Sequence, residues 1–257
     1  MIILANGAVK SGSTWLFHIA RELTHFGPPP ARYANPKWQS QPVYSIDQSK
    51  LGTFLRDGEV VGCDMLAKNH FGGRQERDLL LSLPFLRVLN ITRDIRDVVT
   101  SAYHHGRLAQ KNLDDFTSYY WRRGRIVAQK VMDYQIIWDV HSTRYLCVSY
   151  EELLANFSGE VERIGLFLGQ PPTAADIERI YQATSPSALT ANYGFSDLNR
   201  YRSGTSGDWR NHFDKDCEAD LALLIQRSRH PFHRLALTGP AFLRRLCKPW
   251  RFEIPRD

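Results

Sequence analysis

The chain has 257 residues, with 33 Lys and Arg against 27 Asp and Glu, a net charge of +6 and 43% hydrophobic residues. That is enough apolar material for a sizeable core, and it excludes an intrinsically disordered chain. No stretch approaches the roughly 20 uninterrupted apolar residues of a membrane span, and the opening MIILANGA lacks the basic start of a signal peptide, so a cytoplasmic location is the expectation. Cys63, Cys147, Cys217 and Cys247 form no CxxC pair and the nine histidines include no HExxH, so reduced, mostly buried thiols and no metal are expected. The positive charge is spread along the chain and permits an anionic ligand without naming one.

In chain order, short apolar or β-branched runs at 2–5, 60–65, 86–92 and 145–149 read as strands buried on both faces. Helical spacing of apolar residues appears at 14–23, 97–105, 116–139, 161–168, 176–183 and 217–229. The stretch 27–42 carries PPP, Pro36 and Pro42 and reads as a loop. After Thr184 the pattern breaks into a polar, glycine-bearing stretch, 193–207. Alternating strands and helices predict an α/β fold with a central, mainly parallel sheet flanked by helices. No composition shift marks a boundary, so residues 1–257 are expected to form a single domain.

Four polar elements each follow a different strand. The segment Gly7-Ala-Val-Lys10-Ser11-Gly12-Ser13-Thr14-Trp15 joins the first strand to the first helix, where backbone N–H groups and the helix N-terminus suit a phosphate. Its Gly7-x4-Gly12 spacing is that of a Walker A loop, yet Ser13 stands where the lysine belongs, and Lys10 lies inside the loop. A purely local reading makes Ser13 or Thr14 the helix N-cap. Lys68-Asn-His70 lies beyond the second strand. Arg93 follows the third, with Ser101 about two turns into the next helix, and a helix-start ion pair of Arg93 with Asp97 is the local alternative. Tyr150 follows the fourth. In an open parallel sheet all carboxyl ends share one edge, so Lys10, Lys68, His70, Arg93 and Tyr150 are predicted to converge there. A fifth element, Tyr201 to Phe213, holds Arg202, a planar fork suited to phosphate, and Gly204 and Gly207, with Asp208 able to cap the turn that follows.

Together these segments resemble the soluble, cytosolic-type sulfotransferases that use 3′-phosphoadenosine 5′-phosphosulfate (PAPS). Lys10 to Trp15 (KSGSTW) resembles that family's 5′-phosphosulfate loop, Arg93 to Ser101 (RDIRDVVTS) its 3′-phosphate segment, and Arg202 to Trp209 (RSGTSGDW) its C-terminal nucleotide loop. Lys68-Asn-His70 resembles the family's Lys-Thr-His element with the catalytic histidine. The resemblance implies a phosphate-loop, P-loop NTPase-like sulfotransferase fold, PAPS as cofactor with PAP as product, and no metal requirement. It implies that Lys10 and the amides of Ser11, Gly12, Ser13 and Thr14 hold the 5′-phosphosulfate, with Trp15 against the adenine. Arg93, Ser101 and Arg202 would hold the 3′-phosphate, with backbone contacts from Ser203 and Gly204, and Tyr150 would reach the adenine. Thr184 and Ser185 match a Thr-Ser-Phe run, but Pro186 replaces the aromatic, and Ser203 replaces a lysine.

The activity so implied is sulfonate transfer to a hydroxyl or amine of a small-molecule or natural-product acceptor. His70 would act as general base, with Lys10 and Lys68 stabilising developing charge. The alternatives are a nucleotide-dependent kinase or ATPase on a related scaffold, which the missing lysine at 13 disfavours, and a non-catalytic nucleotide-binding protein, which has no need of His70. Neither nucleic acid nor a membrane is an expected partner. Tyr33, Trp38, Phe71, Tyr103 and Trp121 are candidate acceptor-cleft aromatics, and the oligomeric state stays open.

Overall fold

A computed structural model describes residues 1–36, 44–109, 115–193 and 204–240. Its strands are β1 (Ile2–Gly7), β2 (Met65–Lys68), β3 (Leu86–Thr92) and β4 (Tyr145–Ser149). The α-helices are α1 (Ser13–Thr24), α2 (Leu51–Phe54), α3 (Arg74–Ser82), α4 (Ile95–Ala109), α5 (Phe116–Tyr119), α6 (Arg125–Ile137), α7 (Tyr150–Ala155), α8 (Phe157–Leu168), α9 (Ala174–Thr184), α10 (Pro186–Tyr193), α11 (Lys215–Ser228) and α12 (Pro231–Thr238). The chain divides into two compact units, one of Met1–Phe71, Gln75–Arg93 and His141–Thr205, the other of Gly72–Arg74, Asp94–Val140 and Ser206–Asp257.

The first unit holds a four-stranded sheet in the order β2-β1-β3-β4, parallel throughout. Every residue of β1 is buried, as a central parallel strand covered on both faces must be. Ile3, Ala5, Leu89 and Ile91 alternate onto one face, where they pack with Leu16, Phe17, Ile19 and Ala20 of α1 and Val161, Ile164 and Leu168 of α8. The α/β class and parallel sheet expected from the sequence are therefore present. The predicted second strand is displaced. Residues 60–62 form a turn in which the Val60 and Val61 N–H groups both donate to the Asp57 carbonyl, and Gly62 takes φ 102. The strand starts only at Met65, so Lys68 is its last residue rather than lying beyond it.

Two helical expectations are also corrected. The predicted helix at 116–139 is α5, a π-turn over Tyr120–Gly124, and α6, because Gly124 lets the backbone approach Tyr120 and Val99, and a Cβ there would lie 3.1 Å from the tyrosine ring. The pattern does not break after Thr184: Pro186 opens α10 at a position that needs no N–H, and the Ser185 hydroxyl accepts from the Ala188 N–H at 3.3 Å.

The second unit is helical around Val99, Tyr103, Phe116, Tyr120, Met132, Trp209, Phe213, Leu221 and Leu224. Asp220 of α11 receives the Tyr120 hydroxyl and both Nε and a terminal nitrogen of Arg125, each at 2.8 Å. This bidentate pair fixes α6 to α11 with directional bonds that a purely apolar contact lacks. Among the described cysteines Cys217 is buried, whereas Cys63 and Cys147 are exposed, against the expectation of mostly buried thiols.

Candidate active site at the carboxyl edge of the sheet

The loop between β1 and α1 is shaped by its small residues. Gly7 lies so close to Ser11 that an added Cβ would sit 2.6 Å from the Ser11 hydroxyl, which itself donates to the Ala8 carbonyl at 2.7 Å. Lys10 (φ 64) and Gly12 (φ 99) take the left-handed conformation. Such alternation turns successive N–H groups into a concavity suited to an anion. The N-cap of α1 is Gly12, with no side-chain cap, so neither Ser13 nor Thr14 caps the helix. The first helical bonds run from Trp15 and Leu16 back to the Gly12 carbonyl, which places the Ser13 and Thr14 N–H groups ahead of the ladder at the positive end of the helix dipole.

Parallel register brings the other elements to the same edge, with Ala5 beside Lys68, Gly7 beside Ile91 and Thr92 beside Ser149. His70 is exposed, and its ring bridges two of these strand ends. Its Nδ1 lies 2.7 Å from the Gly7 carbonyl and its Nε2 lies 3.1 Å from the Lys68 ammonium. A carbonyl accepts only, so Nδ1 carries the proton; an ammonium donates only, so Nε2 presents its lone pair. The neighbours of His70 are fixed by paired amide bonds. Asn69 holds Ile46 through both its N–H and its carbonyl (3.0 and 2.8 Å), while the buried Asn6 holds Phe71 in the same way (2.9 and 3.2 Å). The sequence reading did not single out Asn6; an amide at an otherwise apolar strand position, IILANG, was the available signal.

On the far side of the loop, the Tyr150 ring packs on Gly12, where a Cβ would meet it at 2.6 Å. The Arg93 guanidinium lies over the other part of this cluster, 4.1 Å from the Tyr150 ring centre, and donates to the Thr205 carbonyl at 2.9 Å. Trp15 is buried, edge-on to Tyr150 and stacked on Phe157, and its indole N–H has no hydrogen-bond partner among the described residues. A buried unpaired donor costs about 1–3 kcal/mol, so this N–H is a candidate contact for a polar ligand atom. Thr184 is buried with its hydroxyl donating to the Ile180 carbonyl, and Ser185 is occupied at the start of α10. Pro186, where the resemblance led to an aromatic, packs against Gly204, whose φ is 62 and whose added Cβ would fall 2.3 Å from the proline ring. Lys10, Lys68, His70, Arg93 and Tyr150 are thus all carried by the loops and strand ends of one edge. Arg202 and Ser203 lie outside the described residues.

Within the second unit, Ser101 is half-buried in α4, two turns from its start. Asp97 stands in the first turn of α4. Its buried carboxylate receives the Gly207 N–H at 2.7 Å, the Trp209 N–H at 3.2 Å and the Ser206 hydroxyl at 3.2 Å. Asp97 rather than Asp208 therefore receives the N–H groups of the turn Asp208–Asn211, whose N-cap is Gly207. Of the proposed cleft aromatics, Tyr33, Phe71 and Tyr103 are buried and Trp121 is exposed, while Trp38 lies outside the described residues.

A glycine-bearing loop between a buried strand and a helix, beside further polar strand ends of a parallel sheet, defines a phosphate-loop α/β fold. The family model described as "Sulfotransferase domain" matches residues 2–233, and the chain belongs to the sulfotransferase family. Human Sulfotransferase 2B1 is 27% identical over 222 residues, 79% of this chain and 59% of that protein, so the chain spans about three fifths of that relative's length. Mouse sulfotransferase SULT7A1, solved with PAP, shares the fold with a TM-score of 0.67 at 19% identity, over 93% of this chain and 89% of that one. A retinol dehydratase solved with androsterone and PAP does so with a TM-score of 0.62 at 18% identity, over 90% and 82%. Among the described residues no helix is long and apolar enough to cross a membrane.

Proposed function

We propose that this chain catalyses sulfonate transfer from PAPS to a hydroxyl or amine of a small-molecule acceptor. The observation that carries the reading is the His70 ring, whose Nδ1–H donates to the Gly7 carbonyl and whose Nε2 lies 3.1 Å from the Lys68 ammonium at the phosphate loop. A proton-accepting nitrogen at an exposed edge beside an anion-shaped loop is what deprotonation of an acceptor next to a bound phosphosulfate requires.

The residues suit PAPS: the cradle at Gly7 and Gly12 leaves no room for a Cβ, and the Trp15 indole N–H awaits a polar partner. When bound, PAPS supplies a sulfonate group on a phosphate leaving group. Lys10 and the amides of Ser11, Gly12, Ser13 and Thr14 take the 5′ end. Arg93, Ser101, Arg202, Ser203 and Gly204 take the 3′-phosphate, and Trp15, Tyr150, Thr184 and Ser185 shape the adenine side. His70 Nε2 takes the acceptor proton. Lys68 first holds that nitrogen and then shifts its ammonium toward the charge that develops on the transferring group. Acceptors of the kind named for the solved relatives, androsterone and retinol, set the class to test first. The resemblance to the cytosolic-type enzymes supports a cytoplasmic location, and one family match running through both compact units supports a single functional domain.

A transfer assay with radiolabelled PAPS against sterols, phenols, retinoids, sugars and amines tests the reaction. His70→Ala is expected to lose roughly 100-fold or more in kcat while binding PAP normally. Full turnover by His70→Ala would remove the base role, and PAP binding without transfer to any acceptor class would reduce the protein to a nucleotide binder.

A further inference from the structure

Outside this site, the second unit gathers three side chains of metal-ligating type. His104, from the middle of α4, and His212, just past the turn Asp208–Asn211, place their Nε2 atoms 3.1 Å apart. Asp208 Oδ2 lies 3.7 Å from the same His212 nitrogen, and the three ligand atoms all fall within 4.8 Å of one another. A zinc ion bound by imidazole at about 2.0–2.1 Å in tetrahedral geometry sets its nitrogens about 3.3–3.4 Å apart. The observed pair is within a few tenths of an ångström of that spacing, and the Asp208 carboxylate supplies the third ligand atom of the set.

We propose that His104, His212 and Asp208 form a binding site for a divalent transition metal of the zinc type. Two imidazoles and one carboxylate are borderline ligands that favour zinc, cobalt, nickel or copper over magnesium and calcium. Such a set leaves a fourth position for water. The ligands are oriented from behind. Asp208 Oδ1 accepts the Asn211 amide at 3.1 Å, which turns Oδ2 toward the histidines. The His212 ring lies against Phe116 and Tyr103 at 5.4 and 6.0 Å between centres, and His104 lies 5.2 Å from Tyr103. Supporting contacts of this kind fix ligand orientation in metal sites. Two nearby cations, Arg96 and Arg210, are stacked on the faces of Trp209 at 3.8 and 4.6 Å. Arg96 is also paired with Asp94 at 2.5 Å. The ion would tie α4 to the turn that Asp97 already holds, so its role is to staple this unit, independent of the sulfonate-transfer reading.

The test titrates the full chain, in a Cys63→Ser/Cys147→Ser/Cys247→Ser background that removes the described exposed thiols and the thiol outside the described residues, with Zn²⁺ against a chromophoric chelator and with Co²⁺ by visible absorption. One equivalent should bind, a four-coordinate Co²⁺ band should appear, and Tm should rise by several degrees at 100-fold excess over Kd. His212→Gln and Asp208→Asn, both partly exposed positions, should each weaken binding at least 10-fold, with folding checked by circular dichroism. His104→Gln should abolish the Co²⁺ band. No binding by the parent, or binding of equal strength in His212→Gln and Asp208→Asn, would overturn the site and leave the imidazole pair as a hydrogen bond only.

Discussion

Asp97 offers the most direct test of how this structure is held. Its carboxylate is 2% exposed and is the acceptor for two backbone N–H groups, those of Gly207 and Trp209, and for the Ser206 hydroxyl. In Asp97→Ala both N–H groups lose their partner. A hydrogen bond to a charged group contributes about 1.5–3 kcal/mol, and the bond at 2.7 Å belongs at the upper end of that range. The two bonds at 3.2 Å add less, and relief of the cost of burying a carboxylate subtracts from the total. The net loss comes to about 2–4 kcal/mol. Asp97→Asn keeps one acceptor but turns an amide N–H₂ toward a donor, and should cost about 1.5–3 kcal/mol. With a urea m-value of about 2–3 kcal/mol/M, the unfolding midpoint of the alanine variant falls by about 1 M. Fluorescence of Trp209, buried beside these bonds, reports the same transition. Midpoints within about 0.2 M of the parent for both variants would refute the assignment of Asp97 as the anchor of this turn.

Gly12→Ala places a Cβ 2.6 Å from the Tyr150 ring at a φ of 99, so left-handed strain and a displaced tyrosine together should cost about 2–4 kcal/mol; calorimetry showing an unchanged Tm would contradict the packing described. Burial and the neighbouring Asp214 push the Cys217 thiol up to about 12, so iodoacetamide at pH 8 should modify Cys63 and Cys147 and spare Cys217 until the chain unfolds. Early mass gain on the Cys217 peptide is the opposing result. Hydrogen bonds from Arg32 and Tyr33 hold the Asp57 carboxyl down at about 2. A carboxyl depressed in the folded state adds stability that is complete above its ordinary value near 4 and lost as the pH falls toward 2. Asp57→Asn should therefore flatten the acid limb of a stability profile between pH 4 and 2, and an unaltered limb would count against the Arg32 and Tyr33 bonds.

Much of the first unit was legible in the sequence. The runs at 86–92 and 145–149 match β3 and β4 residue for residue; β3 is mostly buried, as a strand covered on both faces is, whereas β4, at the edge of the sheet, buries Val148 and leaves its other residues partly or fully exposed, against the expectation of burial on both faces. The placement of His70, Arg93 and Tyr150 after successive strands was enough to predict one shared edge, since a parallel sheet allows no other arrangement, although Lys68 proved to be the last residue of its strand. The sequence misled where a residue's role depends on a partner far along the chain. Val60 and Val61 look like strand residues but enter a turn closed by Asp57. Asp208 looks like a cap, yet the capping carboxylate is Asp97, 110 residues before Gly207.

Local pattern determined that this chain folds as an α/β protein with a phosphate-shaped loop and a histidine near it, because burial periodicity and glycine geometry act over a few residues. Only the tertiary structure decided the protonated nitrogen of His70, the packing of Pro186 against Gly204, and the meeting of His104 with His212. Each of these is fixed by a contact across a long stretch of chain. Hydrogen-bond direction and ligand spacing exist only once folding has brought both partners within reach.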